Sequence, residues 1–200
     1  MDSKAAKQEV IPSPYGRLDP NKDEIRLVDI CPGSFSDPIE LDIHVVDLSD
    51  LPKYSALSYA WNPKQPETGY HVSLGRASFK TTPNFCLHIG KNLDSAIRHL
   101  RHPARVERMW IDAICIDQNN VSERNRQVQL MGKIYSSAQD VVIWLGPSER
   151  DSDVIMNCIA TKKVEESQIW WFQRVWVAQE LTLARNDPLM RCGHKSVSWL

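Results

Sequence analysis

Hydrophobic positions recur along this chain with two periods, and the change from one to the other predicts its elements. Ile39, Leu41, Ile43 and Val45 alternate with Glu40, Asp42 and His44, the period-2 pattern of a strand with one buried face. Ile25 to Ile30 supplies an antiparallel neighbour, with Pro32-Gly33 opening the turn. Ser55-Ala-Leu-Ser-Tyr-Ala-Trp61 is a short, mostly apolar run stopped by Asn62-Pro63, which predicts a strand buried on both faces. Tyr70 to Leu74 and Phe79 to Thr82 predict a hairpin. Asn92 is expected to cap a helix reaching about Arg101, with Leu93, Ile97 and Leu100 inward and Pro103 ending it.

The second half alternates strands with helices. Arg108 to Ala113 predicts a strand, followed by a loop that keeps Asp117, Gln118, Asn119 and Asn120 together. Asn120 with Glu123 has the form of a capping box, and Val121, Val128, Met131, Tyr135 and Ala138 recur at helical spacing. Asp140 to Leu145 predicts the next strand, closed by Gly146-Pro147. A polar helical segment at about 151 to 163 and a stronger helix from Trp170 to about Ala184 follow, and two short strands flank Gly193. Strand–helix alternation predicts an α/β domain over residues 25–200 with a mainly parallel sheet flanked by helices. The N-terminal antiparallel strands add to one edge of it. Residues 1–24 are polar, carry Pro12, Pro14 and Pro20, and suit a flexible lead.

Composition narrows the classes. With 24 Lys+Arg against 25 Asp+Glu and a net charge of -1, no basic excess supports a nucleic-acid partner. Met1 to Val10 has no apolar core and no apolar run reaches membrane-spanning length, so a soluble, cytoplasmic protein is expected. The five cysteines are odd in number and unpaired in sequence, which reads as reduced, mostly buried thiols. No metal-ligand spacing occurs, and no metal is expected.

Three predicted strands end in polar residues, and in an open parallel sheet the crevice beyond those ends collects ligands. Asp112 there either ties down its own loop through backbone N–H groups or contacts a ligand. Further on, Trp176 and Glu180 stand one helical turn apart. An aromatic face beside a carboxylate is what cleavage of a glycosidic bond with a stable leaving group needs, because the carboxylate supports an oxocarbenium-like transition state. Spacing alone leaves the ordinary alternative open, a solvated or Arg-paired glutamate. Phosphate-binding glycine loops and a nucleophile elbow are absent from the sequence.

Tyr54-Ser-Ala-Leu-Ser-Tyr-Ala-Trp61, Trp110-Ile-Asp-Ala-Ile-Cys-Ile-Asp-Gln118, Val142-Ile-Trp-Leu-Gly146 and Arg174-Val-Trp-Val-Ala-Gln-Glu180, with the run from Glu123 to Ala138, resemble the fungal heterokaryon-incompatibility (HET) domain. Asn62 departs from that family's usual Gly. The resemblance implies a cell-death effector module of heterokaryon incompatibility or fungal innate immunity, activated by a partner protein or companion domain. That family is in turn distantly similar to TIR domains, in which a flavodoxin-like sheet carries a Trp-Cys-x-x-Glu-Leu motif that supports NAD cleavage; here Trp176-Val-Ala-Gln-Glu180-Leu181 fits except for Val177. This second resemblance implies Glu180 as the catalytic residue, with Tyr59, Trp61, Asp112, Arg174 and Trp176 shaping a site for NAD or a related nucleotide, completed by self-association as a homo-oligomer. NAD would be substrate, with no resident cofactor. The competing reading is a non-enzymatic domain that signals by assembly.

Overall fold

The computed structural model describes residues 14–61, 70–76, 85–148, 152–161 and 183–199, and the structural statements below concern these. Its strands are β1 (Glu24–Ile30), β2 (Glu40–Asp47), β3 (Ser55–Tyr59), β4 (His71–Arg76), β5 (Phe85–His88), β6 (Glu107–Trp110), β7 (Asp140–Gly146), β8 (Leu189–Cys192) and β9 (Lys195–Ser198). They form one sheet in the order β5-β4-β2-β1-β6-β3-β7-β8-β9. Four α-helices accompany it among the described residues: α1 (Lys91–Leu100), α2 (Asp112–Cys115), α3 (Val121–Ser137) and α4 (Ser152–Ala160). None of the described helices is long and apolar enough to cross a membrane.

The α/β class stands, but the sheet is mixed rather than mainly parallel. Ladders β1–β2, β1–β6, β4–β5 and β8–β9 are antiparallel, and β2–β4, β3–β6, β3–β7 and β7–β8 are parallel. The antiparallel ladders carry the greater share of residue pairs. The reason is local: among the described residues no α-helix lies between β1 and β5, and the sequential pairs β1–β2 and β4–β5 are antiparallel, while β2 and β4, with β3 between them in the chain, pair parallel. Parallel neighbours joined directly need a crossover, usually a helix, whereas short turns give antiparallel pairs. As expected, β1 and β2 pair antiparallel and extend one edge of the parallel strands, through β1 on β6.

The parallel strands β6-β3-β7-β8 lie side by side as the second, first, third and fourth of their kind along the chain. The chain leaves β3 for β6 on one side and then returns past it to β7 on the other, so the connections part company between β3 and β7. Helices cover both faces there. Ala56 pairs with Trp110 and Tyr59 with Trp144, and strand alternation puts those two pairs on opposite faces. Tyr135 of α3 packs edge-on against Trp110, while His99 of α1 lies 5.0 Å from the Trp144 ring. Both indoles are fully buried. At about 25 cal/mol per Å² for the 150–250 Å² a large aromatic buries, each is worth roughly 4–6 kcal/mol of transfer free energy.

Local chemistry sets the helix ends. The Asn120 side chain accepts from Glu123 N at 3.1 Å, as the capping-box pattern predicts. Glu123 does not close the box; it accepts from Asp117 N at 2.8 Å and grips Arg26 at 2.5 and 2.9 Å. Arg26 is 1% exposed and also donates to the carbonyls of Cys115 and Gly16, with Tyr15 stacked on its guanidinium at 4.9 Å. Tyr15 and Gly16, within the stretch read as a lead, therefore contact the domain. The inward face of α3 is Gln127, Met131, Ile134 and Tyr135, whereas Val121, placed in that stripe by spacing, sits in the first turn and is 57% exposed. At the other end of the sheet the strands around Gly193 form as predicted; Gly193 has φ +56°, and a Cβ there would lie 2.8 Å from Ser148 Cβ, so only glycine fits. The hairpin partner of β4 is β5, and the segment Phe79 to Thr82 predicted for that role lies outside the described residues, as does the helix predicted from Trp170.

Candidate functional site

β3 is five residues long and, apart from half-buried Ser55, buried throughout, so its polar atoms can meet a ligand only beyond its C-terminal end. There Tyr59 is 5% exposed, Ala60 is buried, and Trp61 turns outward at 47% exposure. The Tyr59 and Trp61 rings lie nearly parallel, 26° apart with centroids at 6.5 Å. The Trp61 indole N–H reaches both oxygens of Asp112, at 3.3 and 3.2 Å. The segments that follow β3 and β6 are thus joined by an aromatic–carboxylate contact.

Asp112 is not at a strand end, as the sequence pattern predicts, but opens α2: β6 stops at Trp110 and the chain turns into a single helical turn. Its Oδ1 accepts from Ala113 N at 2.7 Å, and its carbonyl accepts from Gln118 Nε2 at 3.0 Å. A carboxylate in the first helical turn is favoured by the unpaired N–H groups there. Asp112 thus ties down its own loop, as the first of its two readings has it, and also holds Trp61, which lines the crevice.

Asn92 completes the frame and corrects a second expectation. Gly90 rather than Asn92 precedes α1 as its cap, and no side chain caps the helix. Asn92 instead donates to Ala60 O at 2.8 Å and accepts from Trp144 Nε1 at 3.0 Å, joining the end of β3 to β7 across the point where the connections diverge. The buried indole thereby has a partner, which an apolar residue at position 92 would remove.

These parts enclose a crevice of about 170 Å³, lined among others by Tyr59, Trp61, His88, Asn92, Ala113 and Gln118. That is below the several hundred Å³ typical of a drug-sized ligand, and it suits one planar ring with its immediate substituents. Cys115, on α2 behind it, is fully buried and accepts from Ile111 N at 3.3 Å; burial pushes its thiol up to about 12, so it is a neutral packing group and no nucleophile. The other described cysteines are less uniform than expected: Cys192 is buried, Cys31 half-buried and Cys86 exposed.

Of the residues that sequence singled out, Tyr59, Trp61 and Asp112 are brought together. Arg174, Trp176 and Glu180 lie outside the described residues. His88, Asn92 and Gln118 line the same crevice without having been singled out for it. Gln118 stood in the polar quartet after β6; His88 and Asn92 carry no local signal, because what recruits them is pairing with distant strands.

A model described as heterokaryon incompatibility protein (HET) matches residues 54–170, a span containing β3, α1, β6, α2, α3 and β7. The chain is 30% identical over 236 aligned positions to heterokaryon incompatibility protein 6, OR allele, of Neurospora crassa, which covers 87% of this chain and 34% of that protein. It is also 30% identical over 138 positions to vegetative incompatibility protein HET-E-1 of Podospora anserina, covering 66% of this chain and 9% of that one. The chain therefore spans about a third or less of the length of these relatives. No solved structure matches.

Proposed function

Because this chain belongs to the heterokaryon incompatibility (HET) family, we propose that it acts as the cell-death effector module of an incompatibility response, and that the crevice beyond β3 and α2 is its nucleotide site. The observation that carries the second part is the crevice at the end of β3, where the Trp61–Asp112 contact lies on the β6 side and Asn92 bridges Ala60 to Trp144 on the β7 side, across the point where the connections of the parallel strands diverge. In doubly wound sheets such a divergence opens a ligand crevice outside the carboxyl ends of the strands. This order within the parallel strands also supports the flavodoxin-like and TIR-like reading of that part of the sheet.

On this reading a planar ring of NAD enters beside Tyr59 and Trp61, and Glu180 with Trp176 and Arg174 completes the site. The bond broken is the N-glycosidic one. Nicotinamide leaves as a neutral ring taking the bonding electron pair, water adds to the ribosyl carbon, and the water's proton passes to solvent, so no general acid is required. Glu180 would stabilise the developing positive charge, which is the interaction that lowers the barrier. Self-association and an activating partner or companion domain would complete the arrangement.

The test is NAD consumption by wild-type protein forced to cluster on a multivalent scaffold, beside Glu180→Ala and Trp61→Ala. Turnover in the wild type that both variants lose supports the reading; toxicity retained by Glu180→Ala without any turnover overturns it. The assembly reading has its own support, since the Asp112 carboxylate is already engaged by Ala113 N and Trp61. It predicts that Glu180→Ala matters only as far as it disturbs folding or association.

A further inference from the structure

At the outer edge of the sheet, β4 and β5 form an antiparallel ribbon in which His71 stands directly opposite His88. The Ile89 N–H donates to Tyr70 O at 3.0 Å, which makes His71–His88 a pair flanked, rather than joined, by backbone hydrogen bonds. In antiparallel sheets that is the closer of the two kinds of facing pair, with Cα atoms about 4.5 Å apart. The two imidazoles accordingly meet at 4.3 Å between centroids, inclined at 73°. Both side chains are exposed while Val72 and Leu74 between them and the core are buried, so the pair projects from the outward face of the ribbon.

We propose that His71 and His88 together bind a divalent transition-metal ion, zinc or copper(II), as a two-histidine site clipping β5 to β4. Imidazole nitrogen suits these ions, and ring nitrogens must come within 2.0–2.1 Å of zinc. Two side chains on directly opposed positions converge on one ion by rotation about their own torsions, without moving the backbone. The described residues gather no third His, Cys, Asp or Glu around them. The ion therefore keeps open positions for water or for a donor arriving in the crevice, which His88 also lines. The other near pair, His99 and His194 at 4.6 Å, is a poorer candidate because His99 Nδ1 is held by Ser95 O at 2.7 Å and its ring packs on Trp144.

The experiment is calorimetric titration of the full chain, free of any polyhistidine tag, with zinc chloride, and electron paramagnetic resonance of the copper(II)-loaded protein. One ion per chain is expected, with two imidazole nitrogens coupled to copper. His71→Asn and His88→Asn should each weaken zinc binding about tenfold or more, while His194→Asn leaves it unchanged. Binding that survives both ribbon variants, or the absence of saturable binding, overturns the site and leaves the pair as an ordinary cross-strand aromatic contact. Because both rings are exposed, the variants should melt like wild type in chelator, and the copper spectrum of the wild type needs no variant. Neither readout depends on NAD, so this proposal and the nucleotide reading fail separately.

Discussion

β2 and β3 are strands of one sheet, yet β2 buries only Leu41 and Ile43 between more exposed positions while β3 is buried nearly throughout. The difference extends to the regions around them. The flank built on β1 and β2 can carry polar groups along its strands, and it does: Arg108 grips Asp29 at 2.7 and 2.9 Å, and His44 lies 3.9 Å from the same carboxylate. The block around β3 has helices on both faces and no room for such groups except at strand ends. Polar residues in the flank are therefore ties between strands, and those at the ends of the block face open space. This is why the crevice lies at Tyr59, Trp61 and Gln118 and not in the richer cluster of charges on the flank.

The largest departure from that division is Arg26, a buried cation within the flank. Arg26→Met should cost about 3–5 kcal/mol in urea unfolding, because Glu123 is left charged and enclosed. The double variant with Glu123→Leu should recover most of that. An equal loss in the double variant would show that Arg26 acts by packing alone.

In the block, Asn92→Ala should cost about 1–3 kcal/mol, since Trp144 Nε1 and Ala60 O lose their partner. Chemical denaturation gives the size, and an upfield shift of the Trp144 indole proton identifies the cause.

A smaller effect, shared by both regions, depends on pH. His44 is held below the ordinary histidine value by burial, which outweighs the nearby Asp29, while Arg108 pushes the same way as burial. His99 is lowered by burial as well, against its bond to Ser95 O. A base whose folded-state value is depressed takes its proton first in the unfolded chain, so stability declines as pH falls below about 6.5 towards the folded value. Thermal melts from pH 7.5 to 5 should show a decline shallower in His44→Gln than in wild type; parallel curves would contradict it. Smallest of all, Asp112→Asn should change stability by less than about 1 kcal/mol, because the amide oxygen still accepts from Ala113 N.

Much of this was legible in the sequence wherever the cause was local. The strand over Ile39 to Val45, the Asn120 cap and the Gly193 turn each depend on a few neighbouring residues, and each forms, although the buried face ends at Ile43 and leaves Val45 40% exposed. Strand direction was not legible in that way, because the pattern of β4 is the same whether it pairs parallel with β2 or not. Asp112 was misplaced in a strand for a related reason: Trp-Ile-Asp-Ala suits either period over four residues. Asn92 looked like a cap because its spacing to Leu93 and Ile97 is right, and nothing nearby announces that a distant indole and carbonyl recruit its amide. For the candidate site, aromatic residues at the end of an apolar run were a usable signal, while His88 and Asn92 came from pairing that only the fold reveals.

The central claim, that the crevice beyond β3 and α2 accepts a nucleotide ring, is tested most directly by titrating NAD while following the indole N–H resonance of Trp61. A saturable shift of that resonance, accompanied by the Gln118 side-chain amide and weakened in Asp112→Asn, is the predicted result. A Trp61 signal unmoved at saturating NAD, or shifts confined to residues of the β1–β2 flank, would contradict the account.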